Sequence, residues 1–209
     1  ETAMFEAKHE GRGRFAIHNE ADQSLALERL STEEALRRAV GNNELLLHYQ
    51  PEIDLDSNCI VGFEALVRWQ RPDGRLILPD DFIPLAEESG LIVDIGKWVI
   101  REACRQAAQW RVHRTPDQEP VRIWVNLSAR QLGDPDLINY VQSAIDDAGI
   151  TTDEICLEIT ESALMGDAET ATEQLDELRR LGISLGIDDF GIGWSQFCLL
   201  SPSPSPRAR

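Results

Sequence analysis

Along most of the chain, short apolar runs alternate with longer segments whose apolar residues recur every three or four positions. Leu45-Leu46-Leu47-His48-Tyr49 reads as a short strand that Pro51 should stop. Asp54 to Asn58 reads as a turn, and Ile60 to Trp69 as a second strand, close enough to the first to form a hairpin. Helices are expected over 80–89 and 94–112. The second of these carries Ile95, Trp98, Val99, Ala103, Ala107 and Trp110 on one face. Three more strands are expected at Val121–Val125, Ile155–Leu157 and Ile183–Ile187, separated by helices over 135–148 and 168–181. Strands alternating with helices of this length predict βα units and a mainly parallel sheet. The strands are apolar almost throughout, which predicts a sheet covered on both faces. The pattern leaves open whether that sheet is a barrel or doubly wound.

The region before residue 45 is patterned differently. Residues 1–10 read as an amphipathic helix stopped by Gly11, and Phe15-Ala16-Ile17 as one short strand. Residues 19–24 are polar, and a helix resumes with Leu25, Leu27 and Leu30. Ser31-Thr32-Glu33-Glu34 matches a capping box, so Ser31 should open a new helical turn. That turn runs through Leu36 and Val40 to Gly41-Asn42-Asn43 and looks like a connector.

Charge and cysteine usage narrow the classes. The 209 residues carry 37 Asp plus Glu against 20 Lys plus Arg, a formal charge of −17. The average surface therefore repels nucleic acid, while a small phosphate ligand remains accessible through a metal ion or a local arginine. No apolar run approaches the roughly 18 residues that span a bilayer. Glu1-Thr2-Ala3-Met4 is neither a signal peptide nor a translation start, so the chain reads as a fragment. Cys59, Cys104, Cys156 and Cys198 are far apart, as for reduced thiols of a cytoplasmic protein. His9, His18, His48 and His113 show no zinc-ligand spacing.

Polar residues recur where the apolar strands run out. Asn126 follows one strand, Glu158 ends the next, and Asp188 and Asp189 follow the last. In a parallel barrel these would share the C-terminal rim. Glu64, inside Phe63-Glu64-Ala65-Leu66, is a charge within a strand, and it calls for a cation or a proton. Carboxylates plus one amide oxygen form a hard donor set that suits Mg2+ or Mn2+. Asp188-Asp189 could bridge two ions, and Arg68 could pair with a phosphate. These residues point to metal-assisted phosphoryl chemistry on an α/β barrel.

Five ordered motifs then carry a resemblance. Tyr49-Gln50-Pro51, Gly62-Phe63-Glu64-Ala65-Leu66-Val67-Arg68-Trp69, Val125-Asn126-Leu127-Ser128, Leu157-Glu158-Ile159-Thr160-Glu161 and Ile187-Asp188-Asp189-Phe190-Gly191 resemble EAL domains. EAL domains are TIM-barrel phosphodiesterases that linearise cyclic di-GMP with Mg2+ or Mn2+. The resemblance implies that Glu64, Asn126, Glu158, Asp188 and Asp189 are metal ligands, with Asp189 on a second ion. It implies catalytic roles for Glu64, Asp188 and Asp189, and substrate contacts for Gln50 and Arg68. Glu161 is similar to the glutamate that anchors the loop Phe190-Gly191-Ile192-Gly193-Trp194-Ser195. Residues 1–19 look like the end of a GGDEF diguanylate cyclase domain, without its nucleotide-binding residues, and 20–43 like a connecting helix.

The sequence departs from the family at two places. Ile192 and Trp194 stand where the family usually has Thr and Tyr, which alters the hydrogen bonding of that loop. After Leu200 the chain becomes alternating Ser-Pro through residue 206, which reads as a disordered tail over 201–209. The expected fold is therefore an incomplete (β/α) barrel over 44–200, with about five of eight strands. The lysine, glutamate and glutamine that the family carries on the remaining strands have no counterpart. The expectation is a poor or inactive hydrolase, or a module that binds cyclic di-GMP without cleaving it. A dimer with itself or with an intact EAL or GGDEF protein is the other expected partnership, and any membrane anchor would lie upstream.

Overall fold

The computed structural model of the chain describes residues 20–113, 115, 120–160 and 168–188. The expected helix over 1–10, the strand at 15–17 and the Ser-Pro tail lie outside the described residues. The chain divides into two compact units, one of residues 1–49 and 66–99, the other of residues 50–65 and 100–209.

The first unit begins with helix α1 (Glu20–Gly41), which takes in the polar residues from Glu20 onward. It runs straight through Ser31, so the expected cap there is corrected. The Thr32 hydroxyl donates to the Glu28 carbonyl at 2.9 Å, and Glu33 accepts from Arg37 at 2.9 Å, both one turn apart within the continuous helix. Leu36 and Ala39 are fully buried, and α1 packs on α2 (Pro79–Ser89). Packing of that stripe outweighs the local capping signal. The helix ends at Gly41, and Asn43 turns the chain with φ 57°.

Strand β1 (Leu45–Asp54) continues through Pro51, a second correction. It ends the strand order among the described residues, and an edge position tolerates the missing N–H of proline. Asp54 closes the following turn, its carboxylate accepting from the Ser57 amide at 2.7 Å and the Ser57 hydroxyl at 2.6 Å. Those two bonds hold the fully exposed Asp54 carboxyl below its ordinary range. Strand β2 (Cys59–Gln70) returns, and its end pairs antiparallel with β3 (Leu76–Ile77). The two-residue β3 escaped the sequence because it is too short to show a period. Trp69 is buried beside it, donating from Nε1 to Glu44 at 3.1 Å and meeting the Phe82 ring edge-on at 6.0 Å.

The second unit holds the parallel part of the sheet. Strand β4 (Arg122–Leu127) pairs parallel with β2, β5 (Ile155–Thr160) with β4, and β6 (Ser184–Asp188) with β5. Helix α3 (Ile92–Val112) contributes its residues from Ile100 onward. Helices α4 (Ala129–Leu132), α5 (Leu137–Ala148) and α6 (Ala168–Arg180) connect the strands. Gly149 caps α5 in the left-handed region with φ 66°, where a side chain would be strained. Alternate residues Ile123, Val125, Leu127, Ile155, Leu157 and Ile159 are buried, as are Leu137 and Val141 of α5 and Leu178 of α6. Each fully buried Ile or Leu stabilises the fold by about 1.5–3 kcal/mol. The other face of β4 is not covered in the same way: Arg122 and Trp124 are half-buried and Asn126 is exposed. Among the described residues, the expectation of a sheet covered on both faces therefore holds throughout on the helix side and in part on the other, where Cys156 is buried. Asn126 and Glu158 also lie within their strands, since β4 and β5 each run on past the expected ends.

At Gly62 the neighbouring strand leaves no room for a side chain. A Cβ there would collide with the Arg122 carbonyl and with the indole of Trp124. A backbone oxygen cannot step aside cheaply, so Gly62→Ala should destabilise the fold by roughly 1–3 kcal/mol. Urea unfolding of the variant checks this, and an unchanged midpoint would show that the space is open.

Candidate functional site

The parallel register assembles the site. Glu64 lies opposite Trp124, Asn126 opposite Glu158, and Glu158 opposite Gly186. Directly paired residues of a parallel sheet point to the same side, and the side-chain period is two. Glu64, Asn126 and Glu158 therefore share one face, with Thr160 and Asp188 paired at its upper end. Asn126 Nδ2 donates to Glu64 Oε1 at 2.7 Å, a short bond to a carboxylate. That bond fixes the amide's orientation and leaves Asn126 Oδ1 and Glu64 Oε2 as acceptors. A Cβ at position 186 would lie 3.1 Å from Glu158 Cγ and 3.4 Å from its Oε1, so the glycine leaves room for that carboxylate.

The remaining predicted residues are placed as follows. Gln50 is exposed on β1 in the same unit. Arg68 belongs to the other unit, half-buried, with Nη1 donating to the Val67 carbonyl at 2.9 Å. Asp188 ends β6, and of it only the backbone is described. Asp189 and Glu161 lie outside the described residues. Among the described residues no three His, Cys, Asp or Glu side chains converge on one point. What they do supply is two carboxylates and an amide, hard oxygen donors that fit Mg2+ or Mn2+.

Sulfur does not compete in that set. Cys156 lies on the same face, and burial pushes its thiol up to about 11, helped by the Glu158 charge and opposed by Arg122. Burial likewise lifts Cys104 to about 12, with the Glu154 carboxylate adding to it. Both are neutral near pH 8 and too shielded to be good nucleophiles. Gly186, Gly62 and Trp124 were not singled out from sequence. A glycine inside an apolar strand is the signal that could have marked the first two.

Comparison with known proteins decides the family. Residues 33–204 match the EAL domain. The chain belongs to the EAL family. It is 38% identical over 209 residues to MucR of Pseudomonas aeruginosa, named a bifunctional diguanylate cyclase and cyclic di-GMP phosphodiesterase. It is 39% identical over 204 residues to the cyclic di-GMP phosphodiesterase PdeR of Escherichia coli. Those alignments cover 100% and 98% of this chain, which spans only 30% of either relative. A solved MucR phosphodiesterase in complex with c-di-GMP superposes with a TM-score of 0.71 at 41% identity, over 78% of this chain and 64% of that one. The α/β fold, with its antiparallel hairpin leading into parallel strands, is thus that of the EAL barrel, in part. No helix among the described residues is long and apolar enough to cross a membrane.

The thiol chemistry of this EAL domain is directly testable. In the native chain at pH 8, iodoacetamide should label the exposed Cys59 well before Cys104 or Cys156, read by peptide mass. Labelling of Cys156 should rise about tenfold per pH unit and level off only near pH 11, because the thiolate is the minor form below that. Equal rates at all three would contradict the burial described.

Proposed function

We propose that this chain binds cyclic di-GMP and, with Mg2+ or Mn2+, hydrolyses it to the linear dinucleotide, as a poor hydrolase. The observation that carries this reading is the bonded pair Glu64–Asn126 beside Glu158 on one strand face of an EAL domain. Glu64, Asn126, Glu158 and Asp188 are assigned to hold the cation, and Asp189 a second one. A bound divalent ion supplies a more acidic water and neutralises charge on the phosphodiester.

The protein's own residues do the rest. Asn126 holds Glu64 in one rotamer through its amide, so the carboxylate is preorganised before ligand arrives. Arg68 has the charge to pair with a ligand phosphate, and Gln50, exposed on the edge strand, can donate or accept. Glu161 is assigned to anchor the loop that carries Asp189. MucR, which aligns with the whole chain, is named for both cyclase and phosphodiesterase activity. That supports placing residues 1–19 as the end of a GGDEF-like domain and 20–43 as the connector.

Product analysis by liquid chromatography tests the proposal. The chain with Mn2+ should convert cyclic di-GMP to the linear dinucleotide, and a chelator should stop it. Glu64→Gln should lower the rate by about a hundredfold, as expected for loss of a metal ligand or its close partner. Saturable binding of cyclic di-GMP with no linear product would overturn hydrolysis and leave a binding module. Absence of both would remove the nucleotide from the reading altogether.

A further inference from the structure

The face that carries Glu64 also carries a cation. Arg122 lies opposite Gly62, and Trp124 opposite Glu64. Diagonal neighbours of this kind sit about 7–8 Å apart, within reach of a long side chain. Arginine so close to a half-buried carboxylate ordinarily captures it. Here the guanidinium is held elsewhere. Its Nε donates to the Asp153 carbonyl at 3.2 Å, and its Cζ lies 5.8 Å from the centroid of the Trp124 ring. That separation is within cation–π range. The indole fills the space over Gly62, which only a glycine leaves free. Glu64 bonds to Asn126 instead.

We propose that Trp124 is a positioning residue that insulates Glu64 from Arg122. Its ring occupies the diagonal between them and holds the guanidinium on its face, so the carboxylate stays available to Asn126 and to a cation. Gly62 is the position that admits the ring. The consequence for metal binding rests on the reading of Glu64 as a ligand; the insulation itself does not.

Two readouts test this on the full chain. The first needs no metal. The Arg122 Nε–H cross-peak in a nuclear magnetic resonance spectrum should ignore Glu64→Gln while Trp124 is present. It should move on Glu64→Gln in the Trp124→Ala background. The second is Mn2+ affinity by electron paramagnetic resonance. Trp124→Ala should weaken binding about tenfold, and adding Arg122→Gln should restore it to within about threefold of the starting chain. If Trp124→Ala does not fold, Trp124→Leu keeps an apolar group at the position but neither the reach over Gly62 nor the aromatic face, and should show the same loss and rescue. A double variant as weak as the single one would reduce Trp124 to a packing residue and overturn the proposal. So would an Arg122 signal indifferent to Glu64 in both backgrounds. Equal Mn2+ binding by the starting chain and Glu64→Gln would instead sink the assigned metal role, and the cross-peak would still decide the insulation.

Discussion

Everything at the site depends on register between parallel strands. Glu64, Asn126 and Glu158 come from strands 62 and 32 positions apart in sequence, yet the pairing of β2, β4 and β5 brings them to one face. Because the side-chain period is two, a slip of one residue in any strand would turn its polar group toward the helices. The buried positions Ile123, Val125, Leu157 and Ile159 forbid that slip, since it would send them to the uncovered side. The apolar face thus sets the geometry of the polar one. The bond from Asn126 to Glu64 is then a consequence of the register, and its own net contribution to stability is of order 1 kcal/mol.

The same face shows how a hard donor set is kept free of competitors. Cys156 sits in the layer below, but burial and the Glu158 charge keep its thiol neutral. Arg122 is turned away by Trp124 and the Asp153 carbonyl. Gly186 withholds a Cβ that would press on Glu158. Each device concerns a neighbour of the donors, none of which would be noticed in a list of acidic residues. Together they leave oxygen atoms as the ligands on offer, which is what Mg2+ and Mn2+ select.

How much of this could be read from the chain varies with the kind of signal. The strands and the long helices were legible because period two and period 3.6 are strong over runs such as Ile60–Trp69 and Ile95–Trp110. Ser31 and Pro51 misled because each is a local signal that tertiary context outweighs: a buried Leu36–Ala39 stripe in one case, an edge strand in the other. Strand ends were set too early at Asn126 and Glu158 because a polar residue was taken to close a strand. In a site-bearing strand the polar residue is inside it. Trp124 was invisible as anything but an apolar strand residue, since its meaning lies in Gly62 across the ladder.

Charge imposes a last constraint on the ligand. The chain carries a formal −17, and a cyclic dinucleotide carries a negative charge on each of its two phosphodiesters. Long-range attraction therefore cannot bring them together. At physiological salt the field of distant carboxylates fades over about 8 Å, so repulsion from the general surface is weak once the ligand is close. On the proposed reading, recognition then comes from positive charge within that range, supplied by ions held at Glu64, Asn126 and Glu158. An acidic face that would repel phosphate when bare becomes attractive when loaded, because each divalent ion more than offsets a carboxylate. On that same reading the metal precedes the nucleotide, and the freedom of Glu64 from Arg122 serves both.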